Sequence, residues 1–250
     1  MAGGVFRKST AFAQEEAFGL DRLREIGAIQ IVKVIECDDA EIQLESIVSE
    51  RTTPAFWERF GRELAALHTP RFESFGFPIH NHIGATPQPN PQIPTSKISW
   101  ADYFIRYRLG SMALHADIAE DVQLTRSLSL ATPGIREILS EVNEGPSLVH
   151  GDLWSGNYLC SSGQTPVLID PAPYFGHREV DLAMSELFGG FDPLFYQSYG
   201  AALPLEPGYE VRREIYNLYH ELNHFILFGT HRSQALLTLE QIISGRFTGS

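Results

Sequence analysis

Over the first 47 residues the apolar positions change period twice, and each change predicts an element. Val5 to Lys8 alternates and predicts a short strand. Ala13, Ala17, Leu20 and Leu23 recur at helical spacing between Phe12 and Ile26, and Gly27 stands where a left-handed residue would close that helix. Ile29 to Glu36 and Ala40 to Glu45 are alternating and β-branched, with Asp38-Asp39 as the turn between two strands. The first 47 residues therefore read as a small α+β unit. Beyond Ile47 the pattern becomes helical. Thr53-Pro54 starts a helix, and Trp57, Phe60, Leu64 and Leu67 make an apolar stripe running to His68. Residues 69–98 are dense in proline and read as one long ordered loop. Ser99 caps a helix from Trp100, and further helices are expected near 133–143, 179–188 and 209–228. Between them, Asn157 to Cys160 and Pro166 to Asp170 read as two strands joined at Ser161-Ser162-Gly163.

Composition narrows the function classes. A 250-residue chain that is 43% hydrophobic and 20% charged has enough apolar chain for a real core, which excludes a disordered or fibrous protein. Acidic residues outnumber basic ones 31 to 19, for a formal charge of −12. That field repels phosphate backbones and anionic lipid, so neither nucleic acid nor a membrane surface is an expected partner. Only Cys37 and Cys160 are present, far apart in sequence, which points to a reducing cytoplasm rather than a disulfide scaffold.

The segment that carries chemistry is His150-Gly151-Asp152-Leu153-Trp154-Ser155-Gly156-Asn157, followed across the hairpin by Leu168-Ile169-Asp170. Phosphoryl transfer from ATP needs a carboxylate to orient and deprotonate the attacking hydroxyl, and hard oxygens to hold Mg²⁺ on the phosphates. An Asp at one end of a loop, an Asn five residues later and a second Asp ending the next strand can supply both, the spacing of a kinase catalytic loop and its metal-binding Asp.

These residues resemble the fructosamine kinase (ketosamine kinase) family. So do Pro171-Ala172, Tyr174, Gly176-His177-Arg178-Glu179, Asp181-Leu182-Ala183-Met184, Glu186 to Phe191 and Tyr216-Asn217-Leu218-Tyr219-His220. The resemblance implies a protein-kinase-like two-lobe α+β fold, with a truncated small N-lobe over 1–47 and a large, mainly helical C-lobe over 48–250. It implies ATP and Mg²⁺ as cofactors. The expected activity is phosphorylation of a sugar hydroxyl of a small-molecule ketosamine or a glycated protein, which makes the adduct labile and frees the amine. By position, Asp152 would be the catalytic base, Asn157 and Asp170 the metal ligands, and Trp154 a wall for the sugar. Asp181 would brace the catalytic loop, and His177 could face substrate or pair with carboxylates.

The N-terminal region departs from the family pattern. Lys8 fits the lysine that touches ATP phosphates and Glu16 its partner, eight residues on, with Glu15 as its neighbour. Glu45 to Ile47 are adenine-hinge candidates by position. No Gly-x-Gly-x-x-Gly occurs in the sequence, so weak ATP binding and slow turnover are expected, and the alternative is a non-catalytic nucleotide- or ketosamine-binding pseudokinase. His220-Glu221-Leu222-Asn223-His224 matches the His-Glu-x-x-His pattern of zinc hydrolases but lacks a continuation to a third ligand, so both histidines read as helix-packing residues. His80 and His82 read as surface histidines.

Overall fold

The computed structural model describes residues 4–142 and 144–246. Strand β1 (Val5–Ser9) leads through a tight turn into helix α1 (Ala13–Ile26), whose Leu20 and Leu23 are buried and whose end is closed by Gly27 in the left-handed conformation. The strand expected over Ile29 to Glu36 is in fact two. Strand β2 (Gln30–Ile31) pairs parallel with a strand of the large lobe, whereas β3 (Val34–Cys37) turns back on β4 (Glu41–Glu45). Alternation alone could not show this break, because Ile31 and Val32 bury as well as a continuous strand would while changing hydrogen-bond partners. The order β1-β4-β3 makes an antiparallel sheet packed against α1.

Helix α2 (Pro54–His68) opens the large lobe and buries Phe56, Phe60, Leu64 and Leu67. The proline-dense stretch that follows is not a featureless loop. It folds into β5 (Ser74–Phe75), β6 (Asn81–Ile83), β7 (Thr86–Gln88) and β8 (Ile93–Pro94), paired as β5-β8 and β6-β7. Its buried positions include Asn81, Thr86, Gln88 and Asn90, so a hydrophobic pattern had little to detect. Helix α3 (Trp100–Phe104) starts at Ser99, whose Oγ accepts from Asp102 N, and passes through a π-helical turn into α4 (Gly110–Ala113) and α5 (Ala116–Ala119).

The helix expected near 133 begins eleven residues earlier. Helix α6 (Val122–Leu139) is capped by Asp121 and carries Pro133 in its interior; the expected end at 143 lies outside the described residues. Proline is tolerated at a first turn but costs a hydrogen bond inside a helix. The stripe Leu124, Leu128, Ala131, Ile135 and Leu139 outweighs the lost hydrogen bond. Strand β9 (Ser147–Val149) then enters the core, and β10 (Tyr158–Ser161) and β11 (Thr165–Leu168) form the expected hairpin, with β2 beside β11. After β12 (Tyr174–Gly176), paired with β9, come α7 (Glu179–Leu187), α8 (Pro193–Ala202), α9 (Tyr209–Phe228) and α10 (Arg232–Ser244). Helix α8 packs along α2, and α9 is tied to α7 by a fully buried pair in which Arg212 Nε and Nη2 reach Glu179 at 2.7 Å each. No described helix is long and apolar enough to cross a membrane, and Cys37 and Cys160 are free thiols.

Candidate active site

The loop after β9 is held from below by one buried carboxylate. Backbone N–H groups of His150 and Gly151 donate to Asp181 at 2.6 and 2.8 Å, the brace expected of that residue. His68, at the end of α2, reaches the same carboxylate at 3.1 Å and meets Tyr199 Oη at 2.9 Å. Burial pushes the Asp181 carboxyl up, but His68 and the backbone donors hold it below its ordinary value, so it stays an anion. His150 Nε2 donates to Ile169 O at 3.0 Å, which leaves Nδ1 to accept from Asp152 N at 3.3 Å; burial keeps the ring neutral, as that arrangement needs. Gly151 has φ of 81°, and a Cβ there would collide with Ala172 O, so glycine is required where the loop lies against residues 170–173.

At the tip of this loop Asn157 Nδ2 donates to Asp152 Oδ2 at 2.9 Å and to Asp152 O at 2.8 Å. That orientation leaves Asn157 Oδ1, a hard oxygen, without a donor among the described residues. Burial pushes the Asp152 carboxyl up to about 7; Asn157 opposes the shift and the charges of Asp170 and Asp181 add to it. The hairpin returns the chain to Asp170, whose φ of 50° is left-handed. Outside glycine such a conformation costs on the order of 1 kcal/mol or more, and it recurs where a side chain must be aimed. Lys8 Nζ lies 2.9 Å from both Asp170 Oδ1 and Glu16 Oε2. Burial pulls the ammonium down, but the two carboxylates overcome it and hold Lys8 above its ordinary value, while burial pushes Glu16 up.

Lys8, Glu16, Asp152, Trp154, Asn157 and Asp170 thus line one cavity of about 340 Å³. The Trp154 ring stands edge-on to Phe188, with centroids 6.1 Å apart, and is 37% exposed toward the opening. Three other candidates lie elsewhere. His177 is 2% exposed, hydrogen-bonded to Tyr216 Oη at 2.8 Å, and burial pushes its pKa down to about 3, so it is a neutral core residue rather than a wall of this cavity. Glu45 turns back to accept from Lys33 N at 2.9 Å in the β3-β4 hairpin. Ile47 borders a separate cavity beside Gln30 and Ser162. Among the described residues no group of three His, Cys, Asp or Glu side chains could hold a metal, and His224 packs on Phe188 and Phe228.

Asn81, Gln88 and Asn90 match the family pattern weakly in sequence, but sequence reasoning gave no role to these amides, which carry the floor of the cavity. Gln88 Nε2 donates to Ala172 O at 3.0 Å and Asn81 Nδ2 to Pro173 O at 3.0 Å, which fixes the two residues after Pro171. Asn90 Nδ2 bonds Asn81 Oδ1 at 2.6 Å, Arg108 bonds Asn90 Oδ1 at 2.7 Å, and Tyr219 Oη donates to Gln88 Oε1 at 2.9 Å. The available signal was that weak match to the family pattern, within a proline-rich stretch that hydrophobic periodicity reads as loop. Gln88→Leu fills similar space but orphans several buried partners, each at a cost of about 1–3 kcal/mol. Denaturant unfolding is expected to show a net loss of about 2–3 kcal/mol after the apolar gain. A loss under about 0.5 kcal/mol, the scale of an ordinary surface substitution, would mean the ladder carries no load.

A small antiparallel sheet with one long helix, a large helical lobe and a His-Gly-Asp loop facing a strand-terminal Asp are the organisation of kinase-like phosphotransferases. The model of the fructosamine kinase family matches residues 6–245, and the chain belongs to that family. It is 42% identical over 237 residues to a Synechocystis protein described as a probable ketoamine kinase, covering 92% of this chain and 78% of that one. It is 33% identical over 258 residues to the chloroplastic protein-ribulosamine 3-kinase of Arabidopsis thaliana, covering 97% and 77%. A candidate fructosamine-3-kinase from Thermobifida fusca, solved as a crystal structure, superposes with a TM-score of 0.85 at 30% identity, covering 97% of this chain and 86% of that one.

Proposed function

We propose that this protein transfers the γ-phosphoryl group of ATP to a sugar hydroxyl of a small-molecule ketosamine, in a reducing compartment. The observation that carries the reading is the single cavity in which Asp152, Asn157, Asp170, Lys8 and Glu16 meet, in a chain of this family. Of the described residues, those up to 47 belong to the small lobe and those from 48 onward to the large lobe. Lys8, aimed by Glu16, contacts the nucleotide phosphates. Asn157 Oδ1 and the Asp170 carboxylate suit Mg²⁺, a cation of hard oxygen preference that neutralises phosphate charge when bound. Asp152 orients the acceptor hydroxyl and takes its proton as the new O–P bond forms and the bond from the γ-phosphorus to the bridging oxygen breaks, releasing ADP. Trp154 offers an apolar face to the sugar C–H groups.

The metal assignment has its own test. Turnover should stop when divalent cations are chelated, return with Mg²⁺ or Mn²⁺, and ignore added zinc. Asp170→Ala should weaken Mg-ATP binding about 10-fold or more in calorimetry, because a metal ligand is lost. Full affinity in that variant would remove Asp170 from the metal site.

A further inference from the structure

Four carboxylates line the catalytic cavity: Glu15, Glu16, Asp152 and Asp170. Three have partners that fix their work. Glu16 and Asp170 hold Lys8, and Asp152 accepts from Asn157. Glu15, in the first turn of α1, is the fourth. His82 Nδ1 lies 2.7 Å from its Oε2, and the His82 ring lies flat on Phe12, with centroids 3.7 Å apart and planes 17° from parallel. Phe12 precedes α1 and His82 stands on β6, so this stack closes one side of the cavity with residues from both lobes. His82 is therefore not the surface histidine its neighbourhood in sequence suggested. Its hydrogen bond fixes one oxygen of Glu15, and Glu15 Oε1 accepts no hydrogen bond among the described residues. The result is an aimed carboxylate oxygen in a cavity that also holds the proposed base.

What would such an oxygen bind? A ketosamine differs from a simple ketose by a secondary amine on the carbon next to C2 of the sugar. That amine is a cation with N–H donors at neutral pH. The other three carboxylates of the cavity are committed to the lysine, the metal position and the hydroxyl proton. We propose that Glu15, oriented by His82 and Phe12, receives the acceptor's ammonium group and so makes the site specific for ketosamines over uncharged sugars. This rests on the phosphotransferase reading above. Glu15 touches the substrate's amine and His82 acts through Glu15, as a positioning residue.

The test pairs two acceptors with the same sugar: a 1-alkylamino-1-deoxyketose, and the corresponding 1-alkoxy ether, which has no charge and no donor at that atom. A charge-assisted hydrogen bond in a partly enclosed site should make KM for the wild-type protein roughly 10- to 100-fold lower for the amine than for the ether. Glu15→Gln, nearly isosteric and at a partly exposed position, should raise KM for the amine by about that factor. It should leave kcat within about twofold, and leave the ether's KM and the Kd for Mg-ATP unchanged. His82→Phe keeps a ring against Phe12 but removes the donor, and should give a smaller rise for the amine alone. Equal losses on amine and ether in Glu15→Gln would show that the Glu15–His82 contact only fastens the lobes together, and would overturn the proposal. An unchanged KM for the amine would overturn it as well. Failure of the wild-type protein to phosphorylate either acceptor would strike the phosphotransferase reading itself, before any variant is compared.

Discussion

Asp152→Asn is expected to lower kcat on a ketosamine by ~10²–10⁴-fold, the usual contribution of a positioned general base, while the Kd for Mg-ATP stays within about twofold. The geometry explains both halves. The amide can still offer an oxygen to Asn157 Nδ2, which now sits 2.9 Å from Asp152 Oδ2, so the loop has no reason to move. It cannot take a proton from the acceptor hydroxyl. Nor should the fold suffer: burial already pushes the Asp152 carboxyl up to about 7, so a neutral group suits that position. Steady-state kinetics with a nucleotide-binding isotherm and a melting curve would check all three expectations. A fall in kcat of less than about tenfold would be too small for a general base and would remove the role from Asp152.

The second large effect lies away from the cleft, in the stability of the lobe that carries it. Glu221 on α9 is 2% exposed, and its Oε2 accepts from Thr238 Oγ1 at 3.3 Å. Burial pushes its pKa from an ordinary 4.5 to about 8, with the charge of Glu214 adding to the shift. The folded protein therefore keeps a proton that the unfolded chain releases near pH 4.5. Between those two values the unfolded state binds fewer protons, so folding stability falls as pH rises, by about 1.4 kcal/mol per unit. Across the whole window the loss approaches ~4–5 kcal/mol, and above it the slope disappears. Glu221→Gln mimics the protonated acid at every pH. The variant should match wild type near pH 4.5 and exceed it by several kcal/mol near pH 8, as measured by denaturant unfolding across that range. Stability curves that stay parallel through the window would mean Glu221 is not held protonated in the folded state.

The parts of this site that were legible in sequence are those set by local spacing. Asp152 and Asn157 belong to one loop and Asp170 to the end of the adjoining hairpin, so a stretch of nineteen residues, 152–170, holds all three in a fixed relation. Lys8 and Glu16 were legible for a similar reason: a tight turn joins β1 to α1 and brings them to 2.9 Å. What escaped depends on contacts between distant segments. Glu15 and His82 are 67 residues apart, and nothing near either one announces the other. Gln88 meets Ala172 across 84 residues, through a buried polar ladder that hydrophobic periodicity does not register. His177 follows Gly176 at the end of β12, where its sequence left open whether it faces substrate or meets carboxylates. Pairing of β12 with β9 sets it beside Trp100 and Tyr216, with Glu179 Oε2 3.6 Å from Nδ1 and Glu144 Oε2 3.8 Å from Nε2. The β2–β3 break had the same origin, since β2 finds its partner in β11 of the other lobe.

The central claim is that this cavity moves phosphate from ATP onto a ketosamine. It is tested most directly by incubating the protein with Mg-ATP and a ribose- or glucose-derived ketosamine, then following the sugar by mass spectrometry and phosphorus NMR. The expected result is one phosphoryl group gained on a sugar hydroxyl, ADP formed in equal amount, and both signals lost in Asp152→Asn. Binding of ATP or ketosamine without any phosphorylated sugar, from a folded wild-type protein, would contradict the claim and leave a binding protein in place of a kinase.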